Sequence, residues 1–210
     1  MTVDTHFTTD NSWYNEAMNS KQKRCTWCGD DPLYVAYHDK EWGVPQYDDP
    51  VLFEFLVLEG AQAGLSWITI LRKRAGYRDL FDHFNAERIA RYSDKKLDTL
   101  SHNPKIVRNR LKVHGARTNA RAFLSVQQEL GSFSDYIWGF VDGQPIQNNW
   151  NSILDVPSTS SISEQISKDM KKRGFTFVGP TIMYAYMQAT GMVNDHIGDC
   201  FRHTECSGTS

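Results

Sequence analysis

One acidic residue, Glu59, interrupts the most apolar stretch of the chain. It follows the run FLVL and precedes GAQAG, so its neighbours in sequence are apolar or small. A buried carboxylate without a partner is costly, and proteins seldom keep one unless it has a partner or a task. Aromatic faces stack on nucleobases, and a carboxylate accepts hydrogen bonds from a base edge. Four aromatic residues could therefore form a base pocket with it, although each alone is more often a core residue: Tyr34, Tyr37, Trp42 and Trp67.

A second group of residues could bind a metal ion. His196 and Cys200 are four residues apart and would share one face of a helix. Together with Cys25 and His38 they would make a tetrahedral Cys2His2 site without an open position, which is typical of structural zinc. The spacing leaves two alternatives open, namely free thiols with surface histidines, and a ligand pair made by Cys25 and Cys28.

Local basic clusters indicate that the protein binds a polyanion such as DNA or RNA. The formal net charge of the whole chain, −2, does not show this. Three such clusters lie at residues 72–78, 105–121 and 168–173. The third precedes a glycine-bounded hairpin, Gly174 to Gly179, that leads into the start of another helix. Backbone N–H groups in such a turn bind phosphate without reading sequence. The alternatives are an ordinary helical hairpin and solvated helix faces.

The elements that must position these residues are predicted to be helices only. Capping residues and prolines predict helix starts at Asp31, Asp49, Ser66, Asn85, Ser93 or Asp94, Asn103, Ser134, Ser161 and Pro180. The helix that begins at Asp49 is expected to reach about Gly64, and the next one to run towards Gly76. Gly131 is expected to end a long helix, and no segment shows a convincing strand pattern. The predicted fold class is all-α.

The length of 210 residues fits a single domain at 23–204, with a loosely ordered extension at 1–22 and a tail at 205–210. The first 22 residues lack the apolar core of a signal peptide, and polar residues interrupt the apolar stretch too often for a membrane span. We therefore expect a monomeric cytoplasmic protein without a membrane partner, whose four cysteines favour metal binding or catalysis over disulfides.

Long motifs resemble one family, the bacterial DNA-3-methyladenine glycosylase I enzymes, over residues 24–203. The matching runs are RCTWC, DPLYVAYHDKEWGVP, LEGAQAGLSWITIL, NARAFL, STSSIS and KKRGFTFVGPTIMYAYMQATGMVNDHIGDC. The resemblance implies a helix-hairpin-helix glycosylase that flips 3-methyladenine out of double-stranded DNA. It implies hydrolysis of the N-glycosidic bond, which leaves an abasic site and frees the base. Because the substrate is DNA, it also implies a protein associated with the bacterial nucleoid.

The resemblance also assigns roles to individual residues. It implies one structural zinc ion held by Cys25, His38, His196 and Cys200, which favours Cys25 over Cys28. It implies that Glu59 is the carboxylate at the reacting base, with Tyr37 and Trp67 as pocket walls and Tyr34 and Trp42 close by. Leu65 would fill the gap left by the flipped nucleotide, and three further residues would contact the DNA backbone: Gly174, Gly179 and Lys172.

Two departures accompany the resemblance. Many helix-hairpin-helix glycosylases place a catalytic Asp where this chain has Asn194, and we do not assign the adjacent Asp195 that role. Ala61 stands where some relatives carry Gln. No Lys lies at a nucleophile position in the hairpin, so we expect no lyase activity. The rival interpretations are a non-enzymatic helix-hairpin-helix DNA-binding module and a zinc-stapled protein-interaction domain without salt-dependent DNA affinity.

Overall fold

The computed structural model describes residues 22–207, and the extension expected at 1–22 lies outside this range except for Gln22. The described chain is mostly helical, as the sequence predicts. Its α-helices are α1 Pro32–Lys40, α2 Asp49–Gln62, α3 Trp67–Leu80, α4 Ala86–Ala90, α5 Asp94–Ser101, α6 Arg110–Leu130, α7 Phe133–Trp138, α8 Ser161–Lys172, α9 Pro180–Ala189 and α10 Phe201–Ser207. Within 22–207, no helix is long and apolar enough to cross a bilayer.

Helix α2 lies at the centre of the fold. Its residues from 55 to 61 are all buried, and it packs against α3, α6, α7 and α9. The helix is apolar around most of its circumference, which is the pattern of a helix enclosed on all sides. A side chain on α2 therefore takes its position from the whole core and has little freedom to move.

Several helix ends lie where the sequence predicts them. The Asp31 side chain accepts hydrogen bonds from the backbone N–H groups of Leu33 and Tyr34, with Pro32 as the first residue of α1. Asn85 and Ser93 cap α4 and α5 in the same way. These short-range interactions satisfy N–H groups that a helix start leaves unpaired, so local sequence suffices to predict them.

Other predicted starts are wrong by one or two residues. Asp48, not Asp49, caps α2, because the Asp49 carboxylate accepts hydrogen bonds from the backbone N–H groups of Phe133 and Ser134 at the start of α7. Ser132 caps α7 in place of Ser134. Ser160, not Ser161, caps α8, and it forms a capping box with Ser163.

Two predicted helix limits are wrong by more. Helix α3 passes through Gly76 and ends at Leu80, because the glycine serves close packing: a Cβ there would lie 2.4 Å from the carbonyl oxygen of Lys105. Helix α6 begins at Arg110 with Asn109 as its cap, whereas the sequence predicts a start at Asn103. The Asn103 side chain instead accepts a bond from the Lys105 N–H in a turn.

Within residues 22–207, β-strands occur at one place, contrary to the purely helical prediction. Strands β1 Ile146–Gln147 and β2 Val193–Asn194 form a parallel pair of two residues each. Strands this short leave no alternating pattern to recognise in the sequence. The pair attaches the loop after α7 to the segment after α9.

The predicted tail boundary at residue 204 falls inside α10, which continues to Ser207. Cys206, expected in a polar tail, is buried. The Cys206 sulfur lies close to Gly43, where a Cβ would be 3.7 Å from it.

Candidate active site

Glu59 is buried in α2, with 3% of its surface exposed. Glu54, one turn earlier, pairs with Arg74 and Arg78, whereas Glu59 has neither an ion pair nor a hydrogen bond within residues 22–207. Burial raises the pKa of the Glu59 carboxyl to about 8. Such a group gains strongly from a ligand that brings a positive charge or a hydrogen-bond donor.

Glu59 faces a pocket of about 240 Å³. The structure brings all four aromatic residues predicted from the sequence into its wall, namely Tyr34, Tyr37, Trp42 and Trp67. The rings of Tyr37 and Trp67 lie 5.4 Å apart and are tilted by 48°. Five other residues that were not predicted from the sequence also line the pocket: Trp27, Gln62, Ile153, Ala185 and Gln188.

Trp27 had a signal in the sequence, because it lies inside the RCTWC motif. Its ring is 5.0 Å from that of Tyr34 and 4.9 Å from that of Trp42, both edge-on. It belongs to the 3-10 turn Thr26–Cys28, which directly follows Cys25. One short segment therefore supplies a pocket wall and a member of the cysteine–histidine cluster.

The cluster of Cys25, His38, His196 and Cys200 is buried, and its ligand atoms all lie within 4.8 Å of one another. The Cys25 sulfur is 3.6 Å from His196 Nδ1, and the Cys200 sulfur is 3.4 Å from His38 Nε2. A tetrahedral zinc ion with ordinary bond lengths separates sulfur and nitrogen ligands by about 3.6 Å. The four side chains therefore fit one such ion, although His196 and Cys200 lie in a turn rather than on the helix expected from their spacing.

The other ring nitrogens of both histidines are held by acceptors. His38 Nδ1 lies 2.7 Å from an Asp39 carboxylate oxygen, and His196 Nε2 lies 3.1 Å from the Trp42 carbonyl oxygen. These acceptors hold protons on the outer nitrogens and leave lone pairs towards the cluster, as in structural metal sites. Hydrogen bonding from Cys25 lowers the pKa of the Cys200 thiol, which favours a thiolate at Cys200.

Cys28 lies outside this arrangement. Its thiol is directed to the backbone oxygen of Cys25 at 3.1 Å, and it is absent from the group of converging ligand atoms. Of the two ligand pairs that the spacing allowed, the geometry favours the one without Cys28.

Leu65 projects from the turn between α2 and α3, and 40% of its surface is exposed. Gly64 before it has a φ of +78°, a conformation that side chains rarely adopt. The Lys112 ammonium donates hydrogen bonds to the carbonyl oxygens of Ala61 (2.8 Å) and Ala63 (2.5 Å) at the end of α2. Glu59, which lines the pocket, and the exposed side chain of Leu65 are therefore only six residues apart in the chain.

The basic clusters differ from the expectation. Half of their cations pair with acids, as Arg72 does with Asp31 and Arg117 with Asp94. Within residues 22–207, five exposed cations of these clusters have no ion pair: Arg108, Arg121, Lys168, Lys171 and Lys172. The basic surface is therefore concentrated at the end of α8, directly before Gly174.

The loop from Gly174 to Gly179 joins α8 to α9 and is fastened to the core. Buried Asn119 accepts a bond from the Thr176 N–H at 2.8 Å and donates to the Thr176 carbonyl oxygen at 3.0 Å. Phe177 next to it has a φ of +55° and approaches Gly60 and Gly115 so closely that a Cβ on either would lie within 3.2 Å of it. The loop therefore packs directly against the residue that follows Glu59.

Asp195 is 1% exposed and receives four hydrogen bonds. Oδ1 accepts from Asn148 and Trp150, and Oδ2 from Tyr184 and Gln188, all at 2.7 to 2.8 Å. Its four acceptor positions are all occupied by protein donors, so none is left for a water molecule or a substrate, which agrees with leaving it without a catalytic role.

Comparisons with known proteins agree with this geometry. A family model described as methyladenine glycosylase matches residues 27–203. DNA-3-methyladenine glycosylase 1 of Escherichia coli is 46% identical over 178 residues, which are 85% of this chain and 95% of that protein.

Solved structures of 3-methyladenine DNA glycosylase I are also similar to this chain. A crystal structure of 3-methyladenine DNA glycosylase I superposes with a TM-score of 0.84 at 50% identity, over 85% of this chain and 98% of that one. A Staphylococcus aureus 3-methyladenine DNA glycosylase I, solved to show how it recognises 3-methyladenine, gives 0.82 at 36% identity over 85% and 95%. The chain therefore belongs to the methyladenine glycosylase family.

Proposed function

We propose that this protein is a base-excision-repair glycosylase that removes 3-methyladenine from alkylated DNA by hydrolysing the N-glycosidic bond. The observation that carries the proposal is the unpaired carboxylate of Glu59 inside an aromatic pocket. Methylation at N3 makes adenine a cationic, electron-poor leaving group. Aromatic walls and a carboxylate attract such a base, while a neutral base gains less.

Because methylation already weakens the glycosidic bond, the protein has to contribute little to breaking it. Glu59 would hold the base in a low-dielectric pocket, where a hydrogen bond or opposite charge counts for more than in water. Tyr37 and Trp67 would hold the ring between them, with Tyr34 and Trp42 closing the pocket. Binding the extruded base and stabilising the cationic sugar would supply the rate enhancement.

For the DNA interface, we propose a helix-hairpin-helix contact made by α8, the loop from Gly174 to Gly179, and α9. Backbone N–H groups at the start of α9 and the unpaired Lys172 are suited to phosphate oxygens. Leu65 is suited to fill the stack after the nucleotide leaves. Contacts of this kind give affinity without reading the sequence.

For the cluster, we propose one structural zinc ion held by Cys25, His38, His196 and Cys200. Such an ion would stabilise the fold and take no part in catalysis, because four protein ligands leave no position for water. It would join the segment before α1 to the segment before α10. His38 on α1 and the Trp42 carbonyl would connect it to the pocket wall.

Replacing Asn119 with Ala tests whether the hydrogen bonds that hold the loop from Gly174 to Gly179 are needed for DNA binding. The change leaves the Thr176 N–H and carbonyl groups unpaired, so unfolding should become easier by about 2 kcal/mol. Affinity for undamaged duplex DNA should fall, while affinity for free 3-methyladenine stays unchanged. Thermal unfolding and two binding titrations measure these effects. Equal losses in both titrations would show that Asn119 supports the whole pocket instead.

The reaction itself is tested by incubating purified protein with methylated DNA and identifying the released bases by chromatography. The expected products are free 3-methyladenine and intact strands with alkali-labile abasic sites. Strand cleavage without added base or heat would contradict the monofunctional mechanism. Absence of any released base, in protein that binds duplex DNA, would favour the non-enzymatic DNA-binding module.

A further inference from the structure

The pocket contains an amide whose orientation is fixed by a neighbour. Gln188 lies in the pocket wall, near the end of α9. Its Nε2 group donates to Asp195 Oδ2 at 2.8 Å. Only the nitrogen end of an amide can donate, so the bond fixes which end of the side chain faces Asp195. The carbonyl end, which accepts no hydrogen bond within residues 22–207, is left for the pocket.

Asp195 has no freedom to adjust this arrangement. It is buried, and its other oxygen, Oδ1, accepts hydrogen bonds from Asn148 and Trp150. Tyr184 shares Oδ2 with Gln188. The fold therefore uses a fully occupied carboxylate to hold the Gln188 amide in one of its two orientations.

We infer that Gln188 selects the base by presenting a hydrogen-bond acceptor to its edge, and that Asp195 is the residue that positions it. This inference rests on the proposed function and identifies its selectivity. Adenine carries a donating amino group where guanine carries an accepting carbonyl oxygen. An acceptor at Gln188 suits 3-methyladenine and opposes 3-methylguanine, since two acceptors face each other in the latter case.

The Asp195→Asn variant should reverse the preference. The new amide nitrogen cannot occupy the Oδ1 side, because the Trp150 indole N–H can only donate. On the Oδ2 side both partners can accept, Tyr184 by rotating its hydroxyl and Gln188 by turning its amide. Turning the amide directs its NH₂ group into the pocket, where it suits the guanine carbonyl.

The experiment compares release of 3-methyladenine and 3-methylguanine from methylated DNA by four proteins. These are the wild type, Gln188→Leu, Asp195→Asn and the control Gln128→Leu, whose glutamine is exposed on α6. Gln188→Leu should release 3-methyladenine about tenfold more slowly and 3-methylguanine at an unchanged rate. Asp195→Asn should lower the adenine-to-guanine ratio further by raising 3-methylguanine release, and the control should match the wild type.

A wild-type ratio in folded Gln188→Leu would overturn the inference, as would equal losses for both bases. Thermal unfolding and metal content are measured for Asp195→Asn, because His196 is adjacent. If that variant fails to fold, Gln188→Leu alone decides the outcome. Wild-type protein that releases neither base would refute the proposed function itself, which is a different result from release with unaltered selectivity.

Discussion

Replacing Glu59 with Gln is expected to give a protein that is more stable than the wild type at pH 8 and above, yet deficient in 3-methyladenine release. The carboxyl of Glu59 is buried without a partner within residues 22–207, and its pKa is raised from 4.5 to about 8. The amide keeps the shape of the side chain but carries no charge. It therefore removes the cost of ionisation together with the attraction for a cationic base.

The pH dependence has a definite sign. Since the folded-state pKa is the higher one, the neutral acid contributes full stability below pH 4.5, and that stability is lost as the pH rises to about 8. The advantage of Glu59→Gln should therefore be near zero at pH 4.5 and grow to about 4 kcal/mol at pH 8. Base release should fall at least about a hundredfold, because the lost interaction is a charge-assisted one.

Denaturant unfolding at several pH values measures the stability difference, and Glu54→Gln is the matched control. Glu54 is on the same helix but pairs with Arg74 and Arg78, so its replacement should destabilise the protein at neutral pH. A Glu59→Gln protein that is less stable than the wild type at pH 8 would show that the carboxylate has a stabilising partner. Unimpaired base release would remove Glu59 from the mechanism.

The second large effect is expected from disrupting the cysteine–histidine cluster, which we propose to bind zinc. Cys200→Ser should abolish tight zinc binding and lower the free energy of unfolding by at least about 3 kcal/mol, because metal binding to a folded site adds directly to stability. For a chain of this size that corresponds to a fall in melting temperature of about 6 to 12 °C. The His38 and His196 side chains would keep their outer hydrogen bonds but lose the ion that they bind in common.

Two other buried cysteines provide controls. Cys28→Ser and Cys206→Ser remove thiols outside the ligand group and should leave one zinc ion per chain. Elemental analysis and thermal unfolding are measured on the same samples, with and without a strong chelator. Wild-type protein whose melting temperature is insensitive to zinc removal would contradict a structural role for the ion.

The predictable features depend on short-range sequence. The start of α1, the caps of α4 and α5 and the end of α6 follow from capping residues that act within one helical turn. The pocket residues could also be predicted from the sequence, because a lone carboxylate among apolar residues and nearby aromatics is an unusual local composition. The membership of these residues in one pocket then follows from the packing of α1 against α3.

The missed features depend on contacts between distant segments. Asp48 and Asp49 are equally good caps by residue type, and only the contact of Asp49 with α7 decides between them. Asn119 and Thr176 are 57 residues apart and show no periodic pattern. The orientation of Gln188 is set by a carboxylate that also binds residues of the loop after α7, which no local pattern reveals.

The most direct test of the central claim is a titration of wild type and Glu59→Gln with free 3-methyladenine, followed by tryptophan fluorescence. Trp27, Trp42 and Trp67 line the pocket, so a base bound there should quench the signal. We predict saturable quenching of the wild type and an affinity at least about tenfold weaker for Glu59→Gln. Equal affinity of the two proteins, or wild-type protein without saturable quenching, would contradict the assignment of this pocket.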